Sequence, residues 1–129
     1  PILYAQGVGA PEYIRKEIIL MEQLTRDAQK LLCSMYKQYL EKRSSGLPKT
    51  DANYFGDAYL VHEVFCPSAS FEDVDELIWE LSRNGYILGD PGDDILSEIS
   101  ITSSGIVFME NRFKNGIKDV LSFLANFIP

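Results

Sequence analysis

Histidine and tryptophan each occur once in this chain and cysteine twice. No apolar run approaches the roughly 18 residues of a membrane span. A single imidazole, His62, leaves no histidine pair for zinc and makes any Ser/His/Asp constellation depend on one ring in a short helical segment. His62 therefore reads as a half-buried packing residue. Cys33 and Cys66 lack a paired metal-ligand spacing and read as reduced, mostly buried thiols. There is no phosphate-cradling glycine loop, since Gly7 and Gly9 form an isolated pair before Pro11. Asp90, Asp93, Asp94 and Glu98 do not follow the ligand pattern of a calcium loop, and a turn explains the intervening Pro91 and Gly92. These gaps predict no catalytic residue, no metal and no cofactor: a protein that binds and is not an enzyme. The absence of a charged stretch followed by an apolar one near the start argues against a secretory signal and, with the free thiols, points to a bacterial-type cytoplasm.

Positive charge is the next scarcity. The formal net charge is −7, which disfavours unspecific attraction to nucleic acid or anionic lipid. Its distribution is uneven. Residues 25–50 hold six bases (Arg26, Lys30, Lys37, Lys42, Arg43, Lys49) against two acids, whereas residues 51–98 hold one base, Arg83, against twelve acids. One part of the chain is basic and the next strongly acidic.

What is present is one domain's worth of hydrophobic residues, 46% of a 129-residue chain, enough for an ordinary core without staples. Residues 1–20 read either as leader sequence or as an N-terminal arm, with the remaining 21–129 as the domain. The dipeptide Lys16–Glu17 is encodable as AAGGAG, a ribosome-binding sequence, at initiation distance from Met21, while Pro11 suits the first position of a helix. Thr25 is an N-cap, followed by Ala28, Leu31, Leu32, Met35, Tyr36, Tyr39 and Leu40 at helical spacing, a pattern traceable upstream through Ile14, Ile18 and Met21. Ser44, Ser45 and Gly46 end that helix. A second, short helix is expected over 54–65, with Phe55, Ala58, Val61, Val64 and Phe65 on its apolar face and Pro67 closing it.

Ser70 caps a third helix whose stripe is Phe71, Val74, Leu77, Ile78 and Leu81, the other positions being filled largely with Glu72, Asp73, Asp75, Glu76 and Glu80. Asn84 and Gly85 stop it. Tyr86 to Leu88, the turn Gly89 to Asp94 and the strand Glu98 to Ile101 make a hairpin. Thr102 or Ser103 opens a last helix over about 103–128. Its series Ile106, Met109, Phe113, Ile117, Val120, Leu124 and Phe127 mixes steps of three and four, and predicts a helix that packs partly against a second copy, giving a homodimer.

The fold class expected is mainly α with a small β-hairpin. The acidic helix ending in LSRNGYI, the hairpin and the segment ITSSGIVFMENRF together resemble the winged helix-turn-helix superfamily of small bacterial and phage-type regulators over residues 25–110. The resemblance implies that the third helix lies in a DNA major groove and that the hairpin wing touches a neighbouring groove or the phosphates. Here that helix offers Glu72, Asp73, Glu76 and Glu80, and the wing Asp90, Asp93, Asp94 and Glu98, which beside phosphates repel. Duplex DNA would instead meet the belt Lys30, Lys37, Lys42, Arg43 and Lys49 with Arg83, or Arg112, Lys114 and Lys118 on the last helix. That makes a DNA-binding transcriptional or mobile-element regulator the leading expectation. The alternative is a protein-interaction module that docks a basic partner on Glu72, Asp73, Glu76, Glu80, Asp93 and Asp94.

Overall fold

The computed structural model describes residues 23–127. Over these residues the protein is mainly helical, with a small three-stranded antiparallel sheet. The expectations placed on residues 1–20, on Met21 and on the helical phase through Ile14 and Ile18 lie outside the described residues.

Helix α1 spans Arg26–Ser44. Thr25 is extended, and its hydroxyl accepts from the Ala28 N–H at 3.3 Å, which satisfies a donor the first turn would leave open. Asp27 in the first turn and Lys42 and Arg43 in the last suit the helix dipole. Ala28, Leu31, Leu32, Met35, Tyr36 and Tyr39 are buried, as their spacing predicts. A four-residue helix, α2 (Lys49–Ala52), follows the loop.

The segment expected as a helix over 54–65 begins instead as a strand. Strand β1 is Tyr54–Gly56, and helix α3 is confined to Ala58–Phe65. Asp57 explains the boundary, because its carboxylate caps α3 by accepting from the Leu60 N–H at 2.9 Å, so the helix starts after it. Asn53 anchors the strand's entrance. Its amide donates to the Ile101 carbonyl at 2.8 Å and accepts from the Ile101 N–H at 2.9 Å, standing in for a backbone pair at the end of the sheet.

Ser70 caps helix α4 (Phe71–Arg83) by accepting from the Asp73 N–H at 3.1 Å, and Gly85, at φ 80°, turns the chain out of it. This is the helix the sequence reads as third. Val74, Ile78 and Leu81 are fully buried, while Phe71 and Leu77 are half-buried at its edge. Strands β2 (Ile87–Asp90) and β3 (Ser97–Ile101) form the expected hairpin, and the sheet order is β1-β3-β2. Two residues of β3, Glu98 and Ile99, lie opposite Gly89 of β2 where the register shifts, and Glu98 adopts φ 53° in that bulge.

The last helix is two. Helix α5 covers Ser103–Arg112 and α6 covers Ile117–Ala125. Gly116 adopts φ 64°, and the Asp119 carboxylate accepts from the Asn115 backbone and side-chain amides at 3.0 and 3.3 Å, which closes the corner. The break lets the apolar series fold back over its own protomer, with α6 packed on α1. Ile106, Met109, Phe113 and Val120 are buried in that core, where Phe113 stacks on Tyr36 and meets Phe123 edge-on. Those four residues are therefore corrected from a dimer surface to the protomer's interior. Leu124 and Phe127 are half-buried, and Ile117 is exposed.

The approach of α5 to the sheet explains Gly105. A Cβ there would lie 2.6 Å from the Tyr86 carbonyl oxygen, backbone that has little room to move. Thr102 completes the joint: its hydroxyl donates to the Gly85 carbonyl at 2.8 Å and accepts from the Gly105 N–H at 2.9 Å.

Candidate binding surfaces

The basic belt does not survive as one free surface. Lys37 pairs with Glu41 at 3.4 Å, the single ion pair among the described residues. Lys42 donates to the Tyr54 carbonyl at 3.4 Å with its ammonium 5.4 Å from the centre of the Phe55 ring. Arg43 donates to the Leu47 carbonyl at 3.1 Å, closing the loop after α1. Arg112 is stacked against Phe113 and Phe123. Lys30, Lys49, Arg83, Lys114 and Lys118 are exposed, and their side chains have no hydrogen-bond or ion-pair partner among the described residues. They sit on five separate pieces of chain: α1, α2, the end of α4, the corner before α6, and α6 itself.

Lys30 and Lys37 do share one feature. With Ser34, Gln38 and Glu41 they form one wall of an open groove whose other side is Val64 and Phe65 of α3 and Leu121, Leu124 and Ala125 of α6, with Phe127 beyond. Arg26 lies near one end, donating to the Asn126 carbonyl at 3.0 Å, 4.8 Å from the centre of the Phe127 ring.

The acidic surface divides differently. Glu72, Asp73 and Glu76 are exposed on α4, and Asp90, Asp93 and Asp94 are exposed on the hairpin between β2 and β3. None of them has a cationic partner among the described residues. Glu80 is a correction. Its carboxylate accepts from the Thr25 backbone N–H and the Thr25 hydroxyl, both at 2.8 Å, so it bolts α4 to the start of α1 and is not a free docking group. Asp75 faces the fold edge beside Trp79, with one carboxylate oxygen buried and unpartnered. Burial holds its pKa above the usual carboxylate range, and a bond from Trp79 offsets part of that rise.

Cys33, Cys66 and His62 serve packing. Burial pushes the Cys33 thiol up to about 12, against a lowering pull from Arg112, so it is not a nucleophile at neutral pH. Burial likewise raises Cys66. His62 Nε2 is 2.8 Å from the Ala69 carbonyl and its ring meets Phe71 edge-on, so it braces the turn between α3 and α4. The hairpin carboxylates hold no metal-like arrangement: no group of three or more His, Cys, Asp or Glu among the described residues has that geometry. No helix of the described residues is long and apolar enough to cross a membrane.

Sequence reasoning missed the outer face of α3. Tyr59, Leu60 and Val64 are exposed by 57%, 44% and 49%. Ala58 and Val61 are buried and Phe65 half-buried, so Val64, which its spacing placed with them on the apolar face, is corrected to the exposed side with Tyr59 and Leu60. No protein-family model, curated protein or solved structure matches the chain.

Proposed function

We propose that the chain is a non-enzymatic binding module of winged helix-turn-helix type and that its acidic face docks a basic protein partner. The order of elements supports the fold reading: a core helix, the short α3, the capped acidic α4, a hairpin and a helix that closes against the sheet. The observation that carries the docking reading is the contrast in charge. Glu72, Asp73 and Glu76 stand exposed and uncompensated on α4, while Lys37, Lys42 and Arg43 are engaged within the chain. An element that probes a major groove needs donors, and this one presents acceptors beside a wing of carboxylates.

The DNA-binding regulator is the second reading, favoured by the exposed, unpartnered Lys30, Lys49, Arg83, Lys114 and Lys118. Charge exchange separates the two. Under docking, the protein ignores duplex DNA at low salt and binds oligolysine, and Glu72→Gln with Glu76→Gln weakens that binding more than the control pair Asp51→Asn with Glu110→Gln. A salt-sensitive shift of duplex DNA abolished by Lys30→Glu with Lys49→Glu would instead establish the DNA reading.

A further inference from the structure

We infer that the outer face of α3 is the anchoring part of the docking surface, and that its occupant is a basic segment of a partner protein with an apolar residue set among lysines or arginines; this rests on the docking reading above. Leu60 and Val64 stand one turn apart on α3, and both are exposed. The neighbouring Tyr59 ring is stacked on Phe71 with centroids 4.5 Å apart and planes 16° apart. The stack holds an exposed aromatic in one orientation, so little side-chain freedom is lost when a partner covers it. Phe71 also starts α4, so Glu72 follows the aromatic pair in the chain and Glu76 lies one turn beyond Glu72, both exposed. Glu63 lies one turn from Tyr59 on α3 itself.

The patch is thus apolar at its centre and negative on the side of Tyr59 and Phe71, where no acid has a paired cation among the described residues, while its Val64 side borders the groove lined by Lys30 and Lys37. Charge complementarity selects a positive partner, and the apolar centre selects one that brings an apolar side chain to bury. A bare polycation satisfies only the rim. Exposed aromatics surrounded by polar residues are where binding energy concentrates at protein interfaces.

The test uses the full chain and two labelled peptides of equal net charge, an amphipathic Leu/Lys helix and an oligolysine, with affinity read by fluorescence anisotropy at low and raised salt. The expected result is that the Leu/Lys peptide binds about tenfold tighter, keeps its advantage as salt rises, and loses about tenfold with Tyr59→Ser or Leu60→Ser. Leu47→Ser, at an exposed apolar residue on the loop after α1, should leave it unchanged. Thermal melts of both α3 variants establish that each is folded, and Tyr59 and Leu60 are exposed enough for replacement. Equal binding of the two peptides, or equal loss with Leu47→Ser, would overturn the inference while leaving the docking reading intact, provided Glu72→Gln with Glu76→Gln weakens both peptides. Binding of neither peptide would remove both.

Discussion

Glu80 carries a larger structural load than its place on an acidic helix suggests. Two charge-assisted bonds to Thr25 tie the α4 carboxylate to the cap of α1. Glu80→Ala should cost about 1–3 kcal/mol in urea unfolding, and Glu80→Gln less, because one acceptor remains. Asp75 makes the opposite prediction. Its folded pKa is raised, so the ionised form is penalised in the fold. The penalty is complete above the folded value, and vanishes as pH falls through that value and then the unfolded one. Asp75→Asn should raise the Tm at neutral pH, with the gain shrinking in acid. The acidity of both residues was legible in the sequence. Their difference was not, because it depends on which neighbour each carboxylate meets across the fold.

At the scale of elements, local signals fixed most starts and stops. Thr25, Ser70 and Thr102 each cap the helix their spacing assigned to them. The failures came where a pairing partner lies far along the chain. Strand β1 has three residues and pairs with β3 some forty-five positions later, so the run Tyr54–Phe55–Gly56 has too little length for its own pattern to declare a strand. Asn53 is the element's test residue. Asn53→Ala removes both bonds to Ile101 and should destabilise the chain by about 1–3 kcal/mol in denaturant melts, whereas Ala substitution at exposed Lys49 should change little. Gly105→Ala should be more damaging than its helical position implies, because the added methyl meets the Tyr86 carbonyl. Its effect is read from the same melts.

Over the whole molecule, the apolar series after Thr102 decides how much surface remains for a second copy. Four of its seven residues are consumed in the protomer's own core, leaving Ile117 with the neighbouring exposed Val107 and Leu121. Light scattering at high concentration should therefore report a monomer; a dimer that dissociates on Leu121→Lys would show that this remaining strip suffices. The two electrical regions also change meaning once folded. The basic belt, compact along the chain, is divided by contacts to Glu41, Tyr54 and Leu47, whereas Glu72, Asp73 and Glu76 of α4 and Asp90, Asp93 and Asp94 of the hairpin stay in water. Composition, periodicity and capping residues by themselves determined a mainly helical domain with a hairpin, its principal core stripes and an acidic capped helix, because those depend on neighbours within a few residues. Tertiary structure alone decided that the closing helix bends at Gly116, that Glu80 is bolted to Thr25, that α3 turns Tyr59 and Leu60 outward, and which charges remain unpaired. Each of those depends on distances between residues far apart in the chain, which spacing along the sequence does not encode.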